Sequence, residues 1–133
     1  MESSAHLAAM GYDVTLLEQA PKLGGHLLNW ARLFPTMRMG ADVLAFLNKG
    51  VDGKVKVQCN AEITKIDKNG EGFRVHLEDG KTFHGDALLV TTGYDLFDAR
   101  KKEEYGYGIY DNVMTSAELE ETFMKAGKIR GRR

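Results

Sequence analysis

The chain of 133 residues has little cysteine and little proline, with Cys59 as the one thiol and Pro21 and Pro35 as the two imino acids. A single cysteine excludes an internal disulfide framework, and it excludes any zinc site or cluster built from several thiolates of this chain. It also leaves the chain without a dithiol for redox chemistry. Long hydrophobic runs are missing too. Nothing approaches the roughly 18 apolar residues that cross a bilayer, and Met1–Met10 lacks the basic start and apolar centre of a secretory leader, so the expectation is a cytoplasmic protein without a membrane span. Charge of one sign is not in excess: 18 basic against 19 acidic residues leave a net of -1, and no face of the chain collects enough lysine and arginine to suggest a nucleic-acid surface. The four histidines, His6, His26, His76 and His84, have no metal-like spacing, and no metal site is expected.

Glycine is what the chain has in excess, 15 of 133 residues, and the surplus falls at the ends of periodic segments, where it marks the elements. The length suits one modest core. Glu2–Met10 reads as a helix stopped by Gly11, with Ser3 or Ser4 available as a cap for a shortened version. Asp13–Glu18 is a nearly continuous apolar strand of the kind covered on both faces in a parallel sheet. A loop through Pro21–Gly25 follows, and His26–Arg38, interrupted by Pro35, has no strict period and is left open. Ala41–Lys49 places Val43, Leu44 and Leu47 at helical spacing, with Gly50 as the stop. From about 55 to 86 the period becomes that of strands, and Asn69-Gly70 and Asp79-Gly80 are turn dipeptides between alternating segments, so this stretch reads as an antiparallel β-meander. Ala87–Thr92 is again a continuous apolar run and reads as a return to the buried parallel sheet. Thr115–Lys125 reads as a helix whose Thr115 and Glu118 form a capping box, followed by a basic tail over 128–133. The fold class is α/β.

Three places could carry chemistry. Glu18 ends the strand where an acid in a dinucleotide fold accepts both hydroxyls of the adenosine ribose, although its spacing suits a surface glutamate equally well. Gly24-Gly25 lets a backbone approach a bulky ligand or phosphate, or simply makes a tight turn. Thr92-Gly93 lies where a strand runs out at the carboxyl edge of a sheet, the ligand-binding edge of α/β proteins, and reads also as a plain strand-to-loop turn. Trp30 and Phe34 read as core or interface residues with a flavin-side role as the minority reading, and Cys59 as a small buried hydrophobe. Tyr105–Tyr110, rich in tyrosine and glycine, suits either a loop over a cofactor or a docking surface.

The order of these elements resembles the FAD-binding half of the two-dinucleotide-domain flavoproteins, the pyridine nucleotide-disulfide oxidoreductase group. The matching stretches are Ala5–Glu18, Lys22–Gly25 and Ala87–Gly93, and Glu103–Glu120 is similar to the A-subunit family of heterodisulfide reductases. The resemblance implies an incomplete Rossmann-like FAD-binding domain over 1–127, with the first strand and its GxGxxG fingerprint missing and an antiparallel meander inserted. It implies FAD as the cofactor of the parent family, Glu18 on the adenosine ribose, Gly24 and Gly25 beside the cofactor, and Thr92 and Gly93 against it. It also implies electron transfer between a nicotinamide or ferredoxin donor, the flavin and iron-sulfur partner subunits. Two features depart from the pattern: no phosphate-binding glycine loop precedes Glu2, and no cysteine pair follows Gly25. The expectation is therefore a chain that is itself inactive and binds FAD weakly or not at all. An alternative of another class is a noncatalytic assembly module, a homo-oligomer that dimerises through an open sheet edge.

Overall fold

Helix α1 (Glu2–Ala9) ends before Gly11, whose φ of +93° is the left-handed conformation that turns the chain into strand β1 (Thr15–Leu17). The structure, a computed structural model, describes residues 1–126, and the basic tail expected over 128–133 lies outside them. The described residues form two compact units, the first from Met1–Gly25 and Leu47–Gly93, the second from His26–Phe46 and the chain from Tyr94 onward. Among the described residues no helix is long and apolar enough to cross a membrane.

In the first unit, β1 pairs in parallel with β4 (Lys56–Gln58), in the register Thr15 to Lys56. An exposed Asp13–Lys56 ion pair of 2.7 Å stands at the start of the ladder. The sequence suggests a strand covered on both faces, but Thr15 is exposed and Leu16 and Leu17 are only half-buried. The reason is that β4 is the only strand paired with β1 among the described residues, so the pair is the edge of its own small sheet. No serine side chain caps α1.

Helix α2 (Gly40–Val51) begins in the second unit and ends in the first. Gly50 does not stop it. A Cβ built on Gly50 would stand 3.3 Å from the Ala5 Cβ, so the glycine sits in the last turn where α1 crosses closely, and Val51 beyond it is buried. The chain turns instead at Gly53, with φ of +66°.

Strands β5 (Ile63–Asn69), β6 (Gly72–Leu77) and β7 (Thr82–Gly85) form an antiparallel sheet in sequential order. Asn69 pairs with Gly72, which leaves Gly70-Glu71 as the first connection. At the second, the Asp79 carboxylate accepts the Lys81 N–H at 3.0 Å and Gly80 takes a φ of +83°. One face of the sheet buries Val75 and Leu77, which cluster with Ala61 and are flanked by Leu17, Phe83 and Leu88. The alternation sends Lys65, Asp67, His76 and Thr82 to the other face, where Asp67 meets Lys65 at 2.8 Å and His76 at 3.1 Å.

Ala87–Thr92 is not a strand. Leu88 packs against the core, but Leu89 and Val90 are 61% and 67% exposed and the segment joins no ladder. Its composition favours a buried strand; what is missing among the described residues is a neighbouring strand with free backbone groups.

The second unit contains a short hairpin, β2 (Arg32–Leu33) with β3 (Arg38–Met39), and helix α3 (Ser116–Ala126). The Glu120 carboxylate of α3 accepts the N–H groups of Ala31 and Arg32 at 3.0 and 3.3 Å, which ties helix to hairpin. A Cβ on Gly40 would collide with the Trp30 carbonyl, so only glycine lets α2 leave the hairpin at this point.

Candidate functional site

Glu18 follows the last residue of β1, at the carboxyl end of the parallel pair. Its N–H donates to the Gln58 carbonyl at 2.9 Å and its carbonyl accepts from Ala61 at 2.9 Å, so the backbone is held on both sides by the chain leaving β4. One carboxylate oxygen, Oε1, accepts the Ala20 N–H at 2.9 Å. Among the described residues Oε2 has no hydrogen-bond partner, and the side chain is half-buried. The result is a carboxylate fixed in direction by its own loop, with acceptor capacity left for a donor such as a hydroxyl.

Gly24 and Gly25 have φ of +130° and +51°, conformations that side chains with a Cβ adopt rarely. Gly93 is at +78°, and at both Gly25 and Gly93 the volume a Cβ would take is open, with no atom within 4 Å. Glycine is required at these positions by the backbone angle; the open space is an additional fact, and it is what a closely approaching ligand needs. Thr92 is exposed and lies outside any helix or strand. No hydrogen bond among the described residues joins Glu18 directly to the glycine pair or to Thr92-Gly93.

The sequence did not anticipate the contact between the residues that follow the two glycine segments. Nε2 of His26, next after Gly25, lies 2.9 Å from the carbonyl oxygen of Tyr94, next after Gly93. Their rings are 5.0 Å apart, and the Trp30 ring stacks on His26 at 5.8 Å and 12°. A carbonyl only accepts, so Nε2 carries the proton that it donates. The available signal was positional: an aromatic or imidazole ring directly follows each glycine. Because His26 is bonded to Gly25 and Tyr94 to Gly93, this contact brings the two glycine segments into one neighbourhood.

Together these residues offer one oriented carboxylate acceptor at Glu18 and open backbone at Gly25 and Gly93. Cys59, half-buried at the end of β4, is the chain's one thiol. Among the described residues no group of three His, Cys, Asp or Glu side chains is placed to hold a metal. Two surface hollows, of 580 and 390 Å³, are lined around Val51–Val57 and around Gly70–Phe73 with Gly85, and neither includes Glu18, Gly24, Gly25, Thr92 or Gly93.

A family model described as pyridine nucleotide-disulphide oxidoreductase matches residues 1–112. Among curated proteins, the chain is 57% identical over 44 residues to the A subunit of the H(2)/formate:CoB-CoM heterodisulfide,ferredoxin reductase of Methanococcus maripaludis, a match covering 33% of this chain and 7% of that protein. It is 36% identical over 80 residues to the A subunit of the ferredoxin/F(420)H(2)-dependent CoB-CoM heterodisulfide reductase of Methanosarcina acetivorans, covering 60% of this chain and 9% of the relative. The chain thus spans under a tenth of the length of these relatives. Among solved structures, thioredoxin reductase of T. acidophilum superposes with a TM-score of 0.54 at 22% identity, over 63% of this chain and 29% of the other, a likeness of fold.

Proposed function

The chain belongs to the pyridine nucleotide-disulphide oxidoreductase family, and from that premise we propose that it is the part of an FAD domain, like that of the heterodisulfide reductase A subunits, that receives the adenosine end of the cofactor. In this reading residues 1–127 correspond to an incomplete Rossmann-like domain, and the β5–β7 sheet is its inserted meander. The observation that carries the proposal is the Glu18 carboxylate at the carboxyl end of the parallel pair, aimed by the Ala20 N–H and keeping one oxygen free. Both ribose hydroxyls donate to that carboxylate. Gly24 and Gly25 let the loop backbone run close beside the cofactor, and Thr92 and Gly93 offer a hydroxyl and an uncluttered backbone on the second segment. FAD, when bound, supplies the electron-carrying chemistry, in the parent protein between a nicotinamide or ferredoxin donor and iron-sulfur partner subunits. The chain's own residues bind and orient; with one thiol and no phosphate-cradling glycine loop, it holds FAD weakly and is not catalytic alone.

The test is a titration of the isotopically labelled chain with FAD, read by amide chemical shifts. The expected result is weak binding, with shifts gathered at Glu18, Gly24, Gly25, Thr92 and Gly93. Glu18→Gln removes one charged acceptor and weakens adenosine diphosphate binding about ten-fold. Shifts gathered elsewhere would sink the site, and a purified chain that carries stoichiometric yellow flavin would sink the expectation of weak binding.

A further inference from the structure

Away from the site described above, the polar face of the β5–β7 sheet, within the first unit, gathers a carboxylate, an imidazole and a hydroxyl. Strand register assembles them. His76 stands on the central strand β6, opposite Lys65 of β5 on one side and opposite Thr82 of β7 on the other. Asp67, two residues after Lys65, returns to the same face and reaches back to the imidazole. Its Oδ2 lies 3.1 Å from His76 Nε2, and its Oδ1 meets the Lys65 ammonium at 2.8 Å. On the other side of the ring, His76 Nδ1 lies 3.4 Å from Thr82 Oγ1. The Thr64 hydroxyl donates to the His76 carbonyl at 3.2 Å, a further tie between β5 and β6 at this position. These side chains are polar, so their contact with water follows from the strand alternation itself.

The direction of this chain of contacts is set by donor and acceptor chemistry. Asp67 is held below the usual aspartate value, first by its hydrogen bond with Lys65, so at neutral pH it is ionised and only accepts. In the neutral imidazole, Nε2 then carries the proton donated to Asp67, and Nδ1 presents its lone pair to the Thr82 hydroxyl. A hydroxyl, a base beside it and a carboxylate that orients the base are the parts of an activated nucleophile. The 3.4 Å contact is the longer of the two, as is common for such a bond before a substrate closes on it.

We propose that Thr82 is a site of covalent acyl modification, activated by His76 and positioned through Asp67, with small activated esters as the acyl donors. The Thr82 oxygen bonds to the acyl carbon as its proton passes to His76 Nδ1; the ester C–O bond then breaks, and the departing oxygen takes that proton. Leu77 donates its N–H to the Lys81 carbonyl at 2.9 Å, so the alternation of the ladder directs the N–H of Thr82, the next residue, away from β6. That N–H is free to meet the oxygen on which negative charge develops. Thr82 is exposed and lines neither surface hollow, so the face selects a donor by reactivity and small size and not by shape. The inference uses none of the flavin-site residues and stands independently of that reading.

Incubation of the full chain with p-nitrophenyl acetate, with the acetyl groups located by mass spectrometry of its peptides, tests it. The expected result is an acetyl group on Thr82 that Thr82→Val, of the same shape without the hydroxyl, does not acquire. His76→Gln lowers the rate at Thr82 about a hundred-fold, the worth of a general base, and leaves acetylation of surface lysines as in the wild type. In His76→Ala, added imidazole restores the reaction at Thr82, a rescue that a merely structural histidine would not show. For Asp67 the readout is spectroscopic: the ring nitrogen shifts of His76 place the proton on Nε2 in the wild type and on a mixture of the two nitrogens in Asp67→Asn. Unchanged far-ultraviolet circular dichroism shows that the variants fold, and the acetyl position and ring tautomer of the wild type stand whether or not they do. A chain without an acetyl group on Thr82 overturns the proposal, as does a rate at Thr82 that His76→Gln leaves unchanged, a His76→Ala variant that imidazole does not rescue, or a wild-type proton on Nδ1.

Discussion

At single residues, the carboxylates with displaced pKa values, Glu118, Asp67 and Asp79, are each held by hydrogen bonds from residues close in sequence. Glu118 is held below the usual glutamate value first by the N–H of Thr115, then by the Tyr107 hydroxyl, which donates at 2.8 Å. The same contact raises Tyr107 above its ordinary value, because ionising the phenol would set two negative charges together. Thr115 completes the arrangement: its N–H donates to Glu118 at 2.7 Å, and its hydroxyl accepts the Glu118 N–H at 3.3 Å, so each residue satisfies an otherwise unpaired donor of the first helical turn. A pKa lowered in the folded state means that the carboxylate stabilises the fold fully above the unfolded value of 4.5, and that this contribution is lost as pH falls through the lowered folded value. Asp67, lowered first by its hydrogen bond with Lys65, and Asp79, lowered first by Lys81, behave alike, starting from 3.8. The expected outcome is that α3 loses helicity as pH falls below the unfolded value of 4.5 and through the lowered folded value, followed by the amide resonances of Ser116–Ala126. In Glu118→Gln the box persists, since glutamine also accepts, but this segment's acid dependence flattens. An acid response of α3 identical in the two proteins would contradict the assignment. Thr115→Ala removes the cap itself and costs about 1 kcal/mol.

At the level of elements, what the sequence disclosed is what depends on near neighbours. The capping box, the Gly11 stop and the Asp79-Gly80 turn involve residues a few positions apart, and each is present at the expected place. Two elements depend on distant residues and differ from their local pattern. Gly50 looks like a helix stop in any local window, yet it lies inside α2 because Ala5, in another helix, needs the space. Ala87–Thr92 has a buried strand's composition, but a strand is a paired object and its partner is not written in its own residues. The site is divided in the same way. Glu18 and the glycines can be picked out from order and spacing, whereas the His26–Tyr94 contact spans 68 positions and leaves no local trace. Gly40 offers a test at this scale. Gly40→Ala drives a methyl into the Trp30 carbonyl at the junction of β3 and α2, and an overpacked junction of this kind costs roughly 1–3 kcal/mol. Helix propensity pulls the other way by about 1 kcal/mol, since alanine favours the helix. A fall in the urea midpoint is expected; a rise would mean that propensity outweighs the close approach.

For the molecule as a whole, burial decides where stability is concentrated. The buried apolar residues are Val51, Ala61, Val75 and Leu77, all of them in the first unit, while in the second unit the buried positions are the glycines Gly40 and Gly106. Glycine buries no side chain, so the second unit is held by hydrogen bonds such as those from Ala31 and Arg32 to Glu120 and by half-buried apolar contacts. Hydrogen bonds of this kind contribute about 1 kcal/mol each after exchange with water, and those near the surface open locally. Native-state hydrogen exchange is therefore expected to be slowest at the β6 amides around Val75 and Leu77 and faster, by local opening, throughout α3. Leu77→Ala separates the two regimes, because truncating this buried leucine costs roughly 2–5 kcal/mol of first-unit stability. It should shorten protection in β5–β7 by orders of magnitude and leave α3 exchange unchanged, since α3 already exchanges without passing through the opening of that core. If α3 slows and quickens together with β6 across the wild type and Leu77→Ala, the two units unfold as one, and the division of stability argued from burial is wrong.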